Sequence, residues 1–163
     1  MCDMVQQLFS QTLSAERFQI IIVDAASTDD TKRIAGELAE KYPRNIRVVH
    51  GKEACLNNAR NEGIALAEGE YTCFWDTTFT PGRNLLAEVS NFLQDNTGLD
   101  VVCVPHNNGP NKMQDHWIFQ KGSRVINLFK EPRLPLENIR IAFFKTEIAR
   151  KVCFDVRLNH YSF

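Results

Sequence analysis

The segment Phe18-Gln19-Ile20-Ile21-Ile22-Val23-Asp24 restricts the fold more than any other part of the chain. Its consecutive β-branched residues favour a strand. The run does not alternate apolar with polar residues, as a strand with one wet face does. It therefore predicts a strand covered on both faces, the setting of a parallel sheet between helices. It stops at a carboxylate, Asp24. Tyr71-Thr72-Cys73-Phe74-Trp75, followed by Asp76, has the same form. In open α/β sheets ligands bind outside the carboxyl ends of strands, so Asp24 and Asp76 are both candidate ligand contacts. The plainer role for Asp76 is a turn or a helix cap.

The neighbouring segments alternate between strand and helix patterns. Val5 to Thr12 predicts a short helix with Val5, Leu8, Phe9 and Thr12 on one face. Ser27-Thr28-Asp29-Asp30 predicts a helix start, with Ser27 as the cap and Asp30 as its reciprocal partner. Ile34, Leu38 and Tyr42 mark that helix's buried face, and Pro43 ends it. Asn45 to His50 reads as a strand. Ala54 to Ala67 reads as a helix whose small residues Ala59, Gly63 and Ala67 let it lie close to a sheet. Pro81 opens a further helix with Leu85, Leu86, Val89, Phe92 and Leu93 along one stripe, and Asp100 to Pro105 is another strand. Beyond Pro105, strands are predicted at 116–119, 124–128 and 138–145, with a helix at 146–151. The alternation predicts an α/β fold, with a Rossmann-type, mostly parallel central sheet flanked by helices. Phe18–Asp24, Ile46–His50, Tyr71–Trp75 and Val101–Val104 are expected to share one sheet.

Composition excludes several function classes. The 163 residues suit one domain, and a net charge of −1 provides no field for nucleic acid or anionic membrane. No apolar run is long enough to span a bilayer, and the first residues lack the pattern of a signal peptide. The five cysteines form no Cys-x-x-Cys pair, which argues against a zinc or redox motif and for a reducing, cytoplasmic setting. The acidic start at 27–30 is a poor phosphate cradle, and there is no glycine-rich nucleotide loop. His106, His116 and His160 are each candidate metal ligands, with a structural or solvated role favoured.

Four pieces, in order, resemble the family-two glycosyltransferases, which have the GT-A fold. Ile21-Ile22-Val23-Asp24-Ala25-Ala26-Ser27-Thr28-Asp29 is similar to the family's Val-Asp-Asp-Gly-Ser-Thr-Asp. Ala59-Arg60-Asn61-Glu62-Gly63-Ile64 is similar to its Ala-Arg-Asn-x-Gly-Ile, and Gly69-Glu70-Tyr71 to its Gly-Glu-Tyr. Phe74-Trp75-Asp76-Thr77-Thr78 stands where the family places its Asp-x-Asp metal motif. Gln11-Thr12 is similar to the end of the family's first helix. Gly122 to Leu128 with Ile139 to Phe144 resembles glycosyltransferase domains attached to teichoic-acid-type polymerases.

The resemblance implies transfer of a sugar from a nucleotide-diphosphate sugar to an acceptor hydroxyl, the acceptor being a carbohydrate or polyol phosphate of a cell-surface polymer. It implies nucleotide contacts at Asp24, Arg60 and Asp76, and Mg²⁺ or Mn²⁺ held through Asp76. It also implies a single GT-A-like domain, incomplete at both ends. Residues 1–105 would be its nucleotide-sugar-binding half and 106–163 the start of an acceptor-side half. A peripheral place at the membrane would come from parts outside this chain. Thr78 stands where a second metal carboxylate is expected, Phe79 replaces another common Asp, and Ala25 replaces the second Asp of the first motif. Phe154 to Leu158 matches the Phe-Asp-x-x-Leu segment that precedes the family's catalytic base, but no residue here is identified as that base. The alternative is a degenerate glycosyltransferase-like module that binds a nucleotide or a partner without turnover. A receiver-like or flavodoxin-like domain would explain the alternation but not Ala59-Arg60-Asn61.

Overall fold

The computed structural model describes residues 1–51, 54–75, 80–105, 118–121, 124–127 and 139–157. Strands β1 (Ile20–Asp24) and β2 (Ile46–His50) pair in parallel, in register from Ile20 against Ile46 to Asp24 against His50. The connection between them is helix α2 (Thr31–Lys41), which packs on both strands. Helix α3 (Leu56–Leu66) then packs against β1. A β-carbon added at Gly63 would lie 3.6 Å from Val23 Cγ2, so the helix approaches the strand closely at this residue, as its small side chains predict.

The other five strands form a second sheet. It comprises β3 (Tyr71–Cys73), β4 (Val101–Pro105), β5 (Ile118–Lys121), β6 (Arg124–Asn127) and β7 (Ile139–Lys145), in the order β3-β7-β4-β5-β6. Every pairing in it is antiparallel. Strands β3 and β4 therefore run in the same direction, with β7 between them. Helix α4 (Leu85–Asp95) precedes β4, and α5 (Thr146–Val152) follows β7 directly.

The α/β architecture, with a parallel pair and flanking helices, is the predicted one. The strand partnerships differ from the expectation of one sheet through β1, β2, β3 and β4. Among the described residues, β1 bonds to a strand on one side only, and Ile20 to Val23 are half-buried rather than buried. Apolarity reports how much of a strand is covered. It carries no information on which strand lies alongside.

The apolar residues form two clusters. One gathers Leu85, Leu86 and Val89 of α4 with Leu99, Val102, Val104, Ile141 and Phe143. The other gathers Leu38 and Ile46, with Ile22, Ile34, Tyr42 and Val48 packed around them. The first helix, α1 (Cys2–Phe9), joins the two clusters, since Leu8 belongs to the first and Val5 to the second. It is predicted over Val5–Thr12 but lies earlier. Ser10 N–H already closes on Gln6 and Gln7, and Thr12 N–H donates to the carbonyl of Arg83 instead of continuing the helix.

Candidate nucleotide site at the carboxyl end of the parallel strands

Asp24 ends β1 and is 4 % exposed, which makes it one of the few buried charged residues described. A buried carboxylate needs partners. Ala26 adopts a left-handed conformation, φ 60°, and turns the chain so that Ser27 N–H donates to Asp24 Oδ1 at 3.1 Å. His50, the residue opposite Asp24 in the ladder, places Nδ1 3.6 Å from Asp24 Oδ2. The Ser27 hydroxyl, then its N–H, then His50, hold the Asp24 carboxyl below the usual carboxylate range. The side chain is thus an anchored anion at neutral pH, with Oδ2 less engaged than Oδ1.

This arrangement corrects the expected role of Ser27. It does not cap α2, and its N–H, which a reciprocal Asp30 would accept, donates to Asp24 instead. The helix begins later, at Thr31, and Asp30 caps it without a side-chain bond. Asp29 Oδ1 instead accepts from Thr31 N–H at 3.0 Å.

Gly51 follows His50 and brings α3 towards the same strand end. Its N–H donates to the Asp24 carbonyl at 2.8 Å. A β-carbon here would lie 3.3 Å from that carbonyl oxygen and 3.5 Å from Glu62 Oε2, so the bare backbone lets α3 approach closely. Glu62 Oε2 is buried and has no hydrogen-bond partner among the described residues.

Arg60 lies in the middle of α3. Its guanidinium carbon is 5.7 Å from the ring centre of Phe74 and 5.1 Å from that of Phe154, within cation–π range of both. The two rings meet edge to face at 5.1 Å. Among the described residues the guanidinium makes no hydrogen bond or ion pair. It makes none with Asp24, whose partners are Ser27 and His50.

Asp76, with Thr77, Thr78 and Phe79, lies outside the described residues, as do His106, His116 and His160. Among the described residues no three histidine, cysteine or acidic side chains gather into a metal site. Sequence reasoning missed Ser27, His50, Phe74 and Asn61 as parts of this region. Ser27, Phe74 and Asn61 stand in the quoted motifs beside Asp24, Asp76 and Arg60, whereas His50 ends a strand and stands in none of them.

The chain belongs to glycosyl transferase family 2, whose model matches residues 2–155. It is 28 % identical over 156 residues to the minor teichoic acid biosynthesis protein GgaB of Bacillus subtilis, covering 94 % of this chain and 17 % of GgaB. The fold is that of the GT-A glycosyltransferases. Residues 1–349 of S. aureus TarS, solved in complex with UDP, superpose with a TM-score of 0.70 at 22 % identity, over 98 % of this chain and 47 % of that one. The mannosyltransferase PcManGT of Pyrobaculum calidifontis, in complex with GDP-Man and Mn²⁺, superposes with a TM-score of 0.67 at 21 % identity, over 94 % and 43 %. The chain spans less than a third of the length of the curated relatives it matches first. No helix among the described residues is long and apolar enough to cross a membrane.

Proposed function

We propose that this chain is the donor-binding part of a glycosyltransferase that moves a sugar from a nucleotide-diphosphate sugar to a hydroxyl of a cell-surface polymer. The acceptor is a carbohydrate or a polyol phosphate, a reading supported by the likeness to GgaB. Residues 1–105 supply most of the nucleotide contacts, and 106–163 begin the acceptor side.

The observation that carries the proposal is Arg60. It is a cation lying over two rings, and among the described residues its N–H donors make no hydrogen bond or ion pair. Such a group suits the oxygens of a nucleotide diphosphate. Asp24, anchored through Oδ1, has Oδ2 to accept an N–H of the base. A uridine nucleotide is the donor class favoured by the likeness to TarS.

A divalent ion is the natural companion of a diphosphate leaving group, whose charge it neutralises. The proposed ligand is Asp76, which stands where the family places its metal motif. Mg²⁺ commonly takes one or two protein carboxylates and completes its shell with phosphate oxygens and water. Thr78, in place of a second carboxylate, favours a second reading, a module that binds the nucleotide without turnover.

The test is thermal melting of the chain alone, with Mn²⁺, with UDP, and with both. Ligand at a hundred times its Kd adds about 2.7 kcal/mol, which for this size raises Tm by about 5–10 °C. The combined shift should exceed the sum of the separate shifts, and Asp76→Ala should remove only that excess. No shift with millimolar UDP and Mn²⁺ overturns the proposal. The chain itself, with no base identified, is expected to show little or no transfer, and robust transfer in a radiolabelled-donor assay would exclude the second reading.

A further inference from the structure

The segment after α5 reaches back to α3 across 93 residues of sequence. Asn61 Nδ2 donates to the Phe154 carbonyl at 2.9 Å, and Asn61 Oδ1 accepts from Phe154 N–H at 2.7 Å. One turn earlier on the same helix, Asn57 Nδ2 donates to the Asp155 carbonyl at 2.9 Å. A side-chain amide that satisfies both polar groups of one backbone residue takes the place of a neighbouring strand. Phe154 is thereby fixed in position, and its ring lies against both Phe74 and Arg60.

Packing alone does not account for this group. Neither Phe74 nor Phe154 belongs to either apolar cluster, nor does Phe144, whose ring lies 6.1 Å from that of Phe74. Phe154 is half-buried, and Asp155, Val156 and Arg157 are exposed. Phe74 and Phe154 meet at a cation instead of filling the core.

We infer that Asn61 and Phe154 are positioning residues for Arg60. Residues 153–157 hold the guanidinium in place and so tune nucleotide affinity at a site whose other contacts come from the first half of the chain. The inference rests on the donor-binding reading above.

The experiment is calorimetric titration of the full chain with UDP and Mn²⁺. It compares the unaltered protein with Phe154→Leu, Phe154→Tyr, Asn61→Ala, Arg60→Ala and the pair Arg60→Ala with Phe154→Leu. The melting temperature of each without ligand confirms that it is folded. Phe154→Leu keeps apolar bulk but removes the ring, and is expected to weaken UDP binding about 3- to 10-fold. Asn61→Ala should weaken it in the same direction, and Phe154→Tyr should restore it. In the Arg60→Ala background, Phe154→Leu should cost nothing further. A purely structural role would leave that cost undiminished, and this result overturns the inference. So does unchanged affinity in Phe154→Leu and Asn61→Ala. Absence of UDP binding by the unaltered chain overturns the donor-site reading first, and this inference with it.

Discussion

Gln11 and Leu86, 75 residues apart, are joined by a buried hydrogen bond. Gln11 Oε1 accepts from Leu86 N–H at 3.1 Å, while Gln11 Nε2 donates to the Gly82 carbonyl at 2.9 Å. Leu86 lies in the first turn of α4, where N–H groups lack partners within the helix. A glutamine just beyond α1 therefore satisfies the start of α4. Gln11→Ala strands the Leu86 N–H, while the Gly82 carbonyl keeps the Leu85 N–H, and should cost about 1–3 kcal/mol, measured by urea unfolding. An unchanged midpoint would mean that water replaces the amide.

Ala26 holds the left-handed turn that presents Ser27 to Asp24. A β-carbon is strained there, while glycine is at ease. Ala26→Gly should stabilise the chain by about 1 kcal/mol and raise Tm by about 2–4 °C. The gain should disappear if the loop relaxes out of that conformation in solution.

Thr146 is 4 % exposed and donates to the Gly69 carbonyl at 2.7 Å, with its hydroxyl also 2.8 Å from that of Thr72. Its N–H donates to the Glu70 carbonyl at 2.8 Å. Thr146→Val removes the hydroxyl at nearly constant volume and should cost about 1–3 kcal/mol. Thr72→Val made in the same protein should add little, because the Thr72 hydroxyl has by then lost its partner. Additive costs in denaturant titrations would argue against one shared bond.

Asp24 should shape the acid side of the stability curve. Its folded-state pKa lies below its unfolded value, so its contribution is complete above the unfolded value. It is lost as pH falls from about 4 through the folded pKa. Asp29, held by the hydroxyl and N–H of Thr31, Glu147, paired with Lys145, and Asp155, paired with Arg157, add slopes of the same sign. Asp24→Asn isolates one term. The variant should be less stable at pH 7 and should show a flatter decline between pH 5 and pH 2 by circular dichroism melts. Parallel curves would show that Asp24 does not titrate differently on folding.

Much of this architecture is legible in the residues because burial and periodicity are local properties. Ile20–Asp24, Ile46–His50 and Ile139–Lys145 each lie within two residues of the predicted strands, and Asp24 sits where an end-of-strand carboxylate is expected. Ser27 shows the limit of local pattern. Ser-x-x-Asp describes a helix cap, yet an upstream carboxylate takes the Ser27 N–H that the reciprocal Asp30 would accept. The β7 insertion was not legible, since an apolar run does not specify its neighbour. Nor was the Asn61–Phe154 clamp, because both its members are ordinary residues until the chain brings them together.

The position of β7 also sets an order of events during synthesis. Strands β3 and β4 flank β7, which ends at Lys145. When residue 105 leaves the ribosome, both strands exist, but the one that joins them has not been made. Closing the sheet means pairing Tyr71 with Lys145 and Val101 with Phe144, contacts far apart along the chain that form slowly. Until then the two edges that β7 will cover are open to other strands.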